Sequence, residues 1–297
     1  SVTTSSSSAL LDAPPHMLTI TVNAALTTRL EGSPEFFKHA WLRLLYLPGN
    51  INSIALPRIY LQAMRGLAAC VQAFLDVVRS GRDEAPDGNT LLSLFGRELL
   101  LALYQNRSGY EDGTAVAVAT LADIFFTCRH SAFSEQYLAA YYNALKVALQ
   151  SPVGFVILEA TLSDCQDIFT IELPGARTLI PYFVRAIERI LVTPGKEAIR
   201  PACINIIASL LCVPRRFPNV RFPGDVPGDG LLPPAIATYN DLEPHLVHML
   251  SKGLLTERDP HNIKQFLWMS TTFLLEFIPA PSPSSSSSSS SATLQQQ

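Results

Sequence analysis

The sequence predicts an all-α protein, an irregular α-solenoid of antiparallel helix pairs like those of HEAT and armadillo repeats. Three observations favour this fold. Apolar residues recur three and four positions apart through most of residues 17–280, whereas the alternation typical of a strand is nearly absent. Proline and glycine clusters separate the periodic segments from one another. The later segments also fall into pairs, which is typical of stacked helical repeats.

The two ends of the chain differ in composition from the region between them. Residues 1–16 are rich in serine and end in a proline pair, which predicts a disordered lead-in. Residues 281–297 consist mainly of serine and glutamine, which predicts a flexible low-complexity linker. Residues 17–280 are the predicted helical repeat region. Because the chain starts at Ser1 without a methionine and ends in low-complexity sequence, we expect it to be a segment of a longer protein.

The first helices are predicted from a cap and from a long apolar stripe. Ser33 followed by Pro34 favours a helix start, because serine caps the first turn and proline needs no hydrogen-bond acceptor there. The next helix is predicted at Pro57–Arg79. Its apolar residues share one face and are Leu61, Met64, Leu67, Ala68, Val71, Phe74, Leu75 and Val78.

The remaining helices are predicted from the same periodicity. They span Thr90–Gln105, Thr114–Cys128, Ser134–Gln150, Ala176–Leu191, Lys196–Cys212, Asp241–Leu255 and Pro260–Phe277. Asp259 before Pro260 repeats the cap-then-proline signal.

Six of these helices are predicted to form three antiparallel pairs. Named by their first residues, the paired helices are those at Thr114 and Ser134, at Ala176 and Lys196, and at Asp241 and Pro260. Successive pairs start 62 and 65 residues apart (176−114 and 241−176). HEAT and armadillo repeats span roughly 40–47 residues, so we expect an irregular array. A compact helical bundle is the alternative fold.

The composition indicates that some apolar surface is covered by a partner or by missing parts of the same chain. Only 16% of the residues are charged and 48% are hydrophobic, and the mean hydropathy is +0.22. Soluble domains usually contain about 25% charged residues. The formal net charge of −3 argues against nucleic acid as the main partner, because phosphate binding needs clustered lysine and arginine.

Location and ligands are predicted from what the sequence lacks. The five cysteines are scattered and form no CxxC pair, which predicts reduced thiols and a cytoplasmic location. No uninterrupted stretch of about 18 apolar residues occurs, so no transmembrane segment is predicted. The glycine-rich stretch Arg221–Pro234 lacks the spacing of a phosphate-binding loop and is predicted to be an inter-helix loop. We expect no cofactor.

Two clusters of chemically active residues are more simply explained by structure than by catalysis. Glu243, His245 and His248 could suggest a metal site, but no fourth ligand is evident and zinc needs three or four converging ligands. A polar first turn of a helix is the preferred interpretation. Cys165 lies beside Asp164 and has no adjacent base, so helix-capping carboxylates around a buried thiol are preferred to a nucleophile. The sequence therefore predicts no active site.

Basic residues cluster modestly along the chain at Arg200, Arg215, Arg216 and Arg221. Such a ridge could meet an acidic partner or an anionic lipid head group. A solvated turn at the end of a helical pair is the other interpretation.

Four blocks in the same order resemble the helical region upstream of the catalytic domain in α-subunits of Ral GTPase-activating proteins, the relatives of tuberin. The first block is WLRLLYLPGNIN with the helix after it, and the second is SEQYLAAYYNALKVALQS. The third is FTIELPGARTLIPYFVRAIERIL, which includes the turn Leu-Pro-Gly, and the fourth is ASLLCVPRRFPN. The two non-helical turns make the resemblance more specific than helices alone.

The resemblance implies a function for the longer protein and a supporting role for this segment. Family members stimulate GTP hydrolysis by a Ral-type or Rheb-type small GTPase through a catalytic asparagine in a separate domain, and nothing here resembles that domain. The chain is therefore expected to be a non-catalytic scaffold that positions the catalytic domain and holds the β-subunit of a heterodimer. The residues expected to contact this partner are Arg215, Arg216, Phe217 and Arg221. A generic HEAT-type adaptor unrelated to small GTPases is the alternative function.

Overall fold

The described part of the chain belongs almost entirely to one unit. The computed structural model describes His39 and residues 50–81, 85–105, 107–151, 155–222 and 236–276. The chain divides into two units, Ser1–Gly49 and Asn50–Gln297. In the first unit only His39 is described, as an exposed helical residue.

Several sequence predictions fall outside the described residues. These are the lead-in at 1–16, the helix start at Ser33, most of the inter-helix loop Arg221–Pro234 and the linker at 281–297. They stay predictions.

The second unit consists of helices that we number α1 to α9. They are α1 (Pro57–Arg79), α2 (Gly88–Leu91 and Arg97–Tyr104, joined by the π-helical turn Leu92–Gly96), α3 (Glu111–Thr127), α4 (Glu135–Gln150), α5 (Val156–Asp164), α6 (Ile180–Val192), α7 (Arg200–Leu210), α8 (Leu242–Thr256) and α9 (Pro260–Leu275). Short 3-10 turns at Ile51–Ser53, Ala176–Leu179 and Glu197–Ile199 and a one-turn α-helix at Val213–Arg216 complete the helical structure. Within the described ranges the only extended pairing is an isolated bridge between Arg221 and Thr238. The predicted all-α class is confirmed.

Side-chain caps fix the starts of three helices. Asp87 accepts a hydrogen bond from the backbone N–H of Thr90 at 2.8 Å at the start of α2. Ser134 caps α4. Asp259 accepts bonds from two backbone N–H groups at 2.8 and 3.0 Å before Pro260 opens α9, as the cap-then-proline signal predicts.

The helices lie in two rows, each made of alternate helices. The even-numbered helices α2, α4, α6 and α8 pack side by side in one row, and the odd-numbered helices α1, α3, α5, α7 and α9 form the other. Across the rows, α2 packs on α3, α4 on α5, α6 on α7, and α8 on α9. Stacked helix pairs produce this pattern. The solenoid of the HEAT type stays a prediction.

Two of the three predicted helix pairs are neighbours across the rows, and the first is not. The Ala176–Lys196 pair corresponds to α6 and α7, and the Asp241–Pro260 pair to α8 and α9. The helices of the Thr114–Ser134 pair are α3 and α4, which pack mainly against other helices. They meet through the stacked rings of Phe125 and Tyr141, whose centroids are 4.1 Å apart.

Among the described residues, two stretches are long and apolar enough to cross a membrane by length and composition alone. They are α1, with 22% of its most apolar window buried, and the stretch Glu197–Arg216, with 56% buried. One face of α1 packs into the array through Tyr60, Met64, Leu67, Val71 and Leu75. The prediction of no transmembrane segment is therefore not confirmed by these helices.

Candidate partner-binding surface

The four residues predicted to contact a partner lie together on one short turn after α7. We call residues 213–222 the arginine turn. It begins with the one-turn helix Val213–Arg216, which has a buried proline at its second position. Arg215, Arg216, Phe217 and Arg221 are all exposed, and the exposed fraction of Phe217 is 45%. An exposed aromatic ring between arginines is a combination enriched in protein interfaces.

Arg200, which the sequence places in the same basic cluster, does not belong to this surface. It is buried at the start of α7. Its guanidinium donates to the carbonyl oxygen of Thr256 at 2.9 Å and lies 3.6 Å from a carboxylate oxygen of Glu257. The expectation of a ridge that includes Arg200 is wrong, because this arginine neutralises a buried carboxylate.

Backbone hydrogen bonds hold the arginine turn against the segment that leads into α8. The N–H of Phe222 donates to the carbonyl of Ala237 at 2.9 Å, and the N–H of Tyr239 donates to that of Val220 at 2.9 Å. The ring of Phe222 is buried and lies 4.7 Å from that of Tyr239, centroid to centroid. The end of the turn is therefore anchored to this segment, while Arg215, Arg216, Phe217 and Arg221 stay exposed.

The Leu-Pro-Gly turn before α6 lies directly beside the arginine turn. Gly175 has a φ of +79°, a left-handed conformation that costs a glycine little. The hydroxyl of Tyr142 donates to the carbonyl of Pro174 at 2.7 Å and fixes the turn to α4. The guanidinium of Arg177 lies 5.8 Å from the ring centroid of Phe217. The two non-helical turns that the sequence singles out thus meet in space.

A cleft of about 410 Å³ separates these two turns, and we call it the LPG cleft. It has an apolar floor, two arginines and one carboxylate; the residues that define it are Phe169, Glu172, Arg177, Val220, Arg221 and Tyr239. Burial raises the pKa of the Tyr239 hydroxyl, and the charge of Arg177 opposes this rise. Such a lining suits an acidic side chain beside an apolar one.

Sequence reasoning missed Glu172, Arg177 and Tyr239 as members of this surface. Tyr239 follows a stretch rich in proline and glycine and is far from the Leu-Pro-Gly turn in the sequence, so no spacing pattern links them. Glu172 has a φ of +58°, which is uncommon for a residue with a side chain. The usable signal was the Leu-Pro-Gly turn, since irregular turns between helices often carry function.

A second open cleft of about 550 Å³ lies between α6 and α8. A ring nitrogen of His245 lies 2.6 Å from a carboxylate oxygen of Glu188, and Arg185 lies 3.3 Å from the other oxygen of that carboxylate. His248 is exposed on the same side. Among the described residues no three histidine, cysteine, aspartate or glutamate side chains are placed to hold a metal ion. His245 is therefore a partner of Glu188, which refines the predicted polar first turn.

The cysteine beside Asp164 lies inside the array. Cys165 is fully buried, and its sulfur lies 3.5 Å from the hydroxyl oxygen of Tyr141. Burial raises the pKa of the Cys165 thiol to about 12. A thiol in this environment is a poor nucleophile at neutral pH. Asp164 is the last residue of α5 and so cannot cap a helix start there, and burial with the charge of Asp123 raises its pKa to about 6.

Comparison with known proteins gives relatives but no family model. No protein-family model matches the chain, and no solved structure matches it significantly. A Rap-GAP domain-containing protein of Dictyostelium discoideum is 33% identical over 273 residues, which cover 84% of this chain and 16% of that protein. The Ral GTPase-activating protein subunit beta of Homo sapiens is 31% identical over 179 residues, covering 53% of this chain and 12% of the relative.

A second type of subunit matches over a longer stretch at lower identity. The Ral GTPase-activating protein subunit alpha-2 of Rattus norvegicus is 21% identical over 233 residues, covering 75% of this chain and 12% of the relative. The chain thus spans between about an eighth and a sixth of the length of these relatives.

Proposed function

Because the chain belongs to a family related to the Ral GTPase-activating protein subunits, we propose that it is a non-catalytic scaffold segment of a larger GTPase-activating protein. Its helices hold a partner subunit and position a catalytic domain located elsewhere in the longer polypeptide. The target is a small GTPase of the Ral type. The names of the relatives support this assignment.

The observation that carries the proposal is the arginine turn. Its arginines and Phe217 are exposed, while its backbone is held by hydrogen bonds to the segment that leads into α8. A preorganised exposed turn loses little conformational entropy on binding, and arginine beside an aromatic ring suits an acidic, partly apolar partner. The neighbouring LPG cleft extends the same surface by an apolar floor.

The partner is the second subunit of the complex. Because the sequence resembles α-subunits, this second subunit is the β-subunit. Identity to the beta subunits is 31% and identity to alpha-2 is 21%, so both types of subunit belong in the test.

The proposal is tested by reversing the charge of the arginine turn. Arg215→Glu, Arg216→Glu and Arg221→Glu together should weaken association with the partner subunit at least tenfold, because three attractive charges become repulsive. The far-ultraviolet circular dichroism and the melting temperature should stay close to those of the unmodified chain. Association is measured by titration with the purified partner subunit.

A matched control reverses three exposed arginines on the first two helices: Arg58, Arg65 and Arg97. This control changes the net charge by the same amount and should leave association within twofold. Equal affinity of the arginine-turn variant and the unmodified chain for both types of subunit would refute the role of this turn.

A further inference from the structure

The described part of the chain ends beside the start of the arginine turn. Helix α9 ends at Leu275, and the carboxylate of the next residue, Glu276, accepts a hydrogen bond from the thiol of Cys212 at 3.5 Å. Cys212 directly precedes the one-turn helix that opens the arginine turn. The chain after Glu276 therefore leaves the array next to this turn.

The sequence that follows Glu276 is rich in serine and carries no charged side chain. We call residues 281–297, the predicted flexible linker, the serine linker. It contains nine serines, at positions 282 and 284–291. Residues 277–297 include no aspartate, glutamate, lysine or arginine. The linker therefore gains side-chain charge only by modification.

The arginine turn is positively charged. Its ten residues include no acidic side chain and three exposed arginines, Arg215, Arg216 and Arg221. Arg177 adds a fourth positive charge, since its guanidinium lies 5.8 Å from the ring centroid of Phe217 in the turn. Glu172 in the LPG cleft and Glu276 beside Cys212 bring two carboxylates to the same region. The arginines outnumber these carboxylates, so the surface attracts anions.

Clusters of arginines recognise phosphorylated serines in many proteins. The planar guanidinium donates two parallel hydrogen bonds to phosphate oxygens. A phosphoserine carries about −1.5 to −2 charges at pH 7 and offers three acceptor oxygens, which an unmodified serine lacks. Attraction between the serine linker and the arginine turn therefore depends on phosphorylation.

We propose that the serine linker, once phosphorylated, docks on the arginine turn of its own chain and covers the surface assigned to the partner subunit. A protein kinase transfers the γ-phosphoryl group of ATP to a serine hydroxyl oxygen, and ADP and the hydroxyl proton are released. The docking itself does not depend on the proposed function, whereas its effect on the partner rests on it.

The serine linker is long enough to reach the arginine turn. A chain spans at most about 3.3–3.6 Å per residue, so Ser282 lies within about 20 Å of Glu276 and Ser291 within about 50 Å. Even fully extended, the ten residues of the arginine turn would span about 35 Å. The later serines can therefore meet each of its arginines.

Attachment to the same chain favours the serine linker over other phosphorylated segments. A short flexible connection gives an effective concentration of about 1 mM. If a free phosphopeptide binds with a dissociation constant on the order of 100 μM, the tethered linker is docked in about ten chains for each open one. The affinity for the partner should then fall about tenfold, because only the open fraction can bind it.

Titration with a synthetic peptide tests the docking surface. The peptide has the sequence of residues 279–293 with phosphates on Ser284, Ser287 and Ser290, and fluorescence anisotropy measures its binding to the unphosphorylated 297-residue chain. We expect a dissociation constant on the order of 100 μM, and none measurable up to about 1 mM for the peptide without phosphates. The triple charge reversal in the arginine turn should weaken binding at least tenfold. The matched reversal on the first two helices should leave it within twofold.

The peptide titration overturns the proposal in either of two ways. One is absence of binding by the phosphorylated peptide, and the other is an equal loss of affinity in the two reversal variants. Neither result involves the partner subunit. Equal partner affinity of the arginine-turn variant and the unmodified chain would instead refute the proposed function, so the two failures are distinguishable.

Hydrogen exchange in the phosphorylated chain tests docking within one molecule. With phosphoserine at the same three positions of the 297-residue chain, the amide hydrogens of residues 213–222 should exchange several-fold more slowly than in the unmodified chain. This slowing should be the same at low and high protein concentration, because the linker and the turn belong to one molecule. Unchanged exchange, or slowing that appears only at high concentration, would show that the linker does not dock on its own chain.

Discussion

At the scale of single residues, one buried ion pair ties α7 to the turn between α8 and α9. The carboxylate of Glu257 accepts backbone hydrogen bonds from Arg258 and Asp259 at 2.7 and 3.0 Å, and the amide of Asn262 donates to it at 3.3 Å. Arg200 supplies the opposite charge. Burial alone would raise the pKa of Glu257, but these hydrogen bonds and the arginine outweigh burial and hold the pKa below its ordinary value.

The pH dependence of stability follows from this lowered pKa. A carboxylate with a depressed pKa in the folded state stabilises the fold above the ordinary glutamate pKa of about 4.3, and this contribution is lost as the pH falls through the folded-state value. Glu257→Gln should therefore lower the free energy of unfolding at pH 7 by about 3 kcal/mol, because Arg200 is left buried without a counter-charge.

Denaturant unfolding from pH 7 down to pH 3 checks this prediction. The difference between the unmodified chain and Glu257→Gln should shrink as the medium becomes acidic. Glu197→Gln is the control, since Glu197 is exposed three residues before Arg200. A constant difference across the pH range would contradict the role of the ionised carboxylate.

At the scale of elements, two glycines in helices have opposite surroundings. A Cβ at Gly253 of α8 would overlap the buried ring of Phe266 on α9, whereas a Cβ at Gly66 of α1 would have nothing within 4 Å. Alanine favours a helix by up to about 1 kcal/mol over glycine. At Gly253 the overlap should outweigh this gain.

We therefore expect Gly66→Ala to raise the free energy of unfolding by up to about 1 kcal/mol and Gly253→Ala to lower it by about 1–3 kcal/mol. Thermal or denaturant unfolding of the two variants side by side measures both effects. Stabilisation by Gly253→Ala would contradict the close contact of α8 and α9.

Sequence periodicity predicted most elements but not all of them. α1 has the predicted bounds, because its apolar stripe is continuous and Pro57 and Gly81 delimit it. The helix α5 was missed, since Val156–Asp164 is short and β-branched and follows Pro152 and Gly154. Its buried position between α3 and α7 stabilises a helix that local propensity does not signal.

The site was predicted only in part. The exposed turn around Phe217 carries a local signal, since arginine and proline interrupt an apolar helix there. The LPG cleft and the pairing of Arg200 with Glu257 depend on residues that are distant in the sequence, and no local pattern reports such contacts. The packing of α3 against α2 rather than mainly against α4 likewise depends on contacts between helices that no local pattern reports.

At the scale of the whole molecule, the chain combines two rows of helices with exposed surfaces and, among the described residues, no reactive cluster. This combination suits a scaffold segment of a longer polypeptide, since the chain spans only about an eighth to a sixth of the length of its relatives.

The most direct test of the proposed function is the rate of GTP hydrolysis by a Ral-type GTPase. We expect the 297-residue chain alone to leave the intrinsic rate unchanged, and the longer protein with its partner subunit to accelerate it. With the triple charge reversal in the arginine turn, this acceleration should be reduced at low partner concentration. It should return to the unmodified level when the partner is in excess. Acceleration by the isolated chain, or none by the longer protein with its partner, would contradict a non-catalytic scaffold of a GTPase-activating protein.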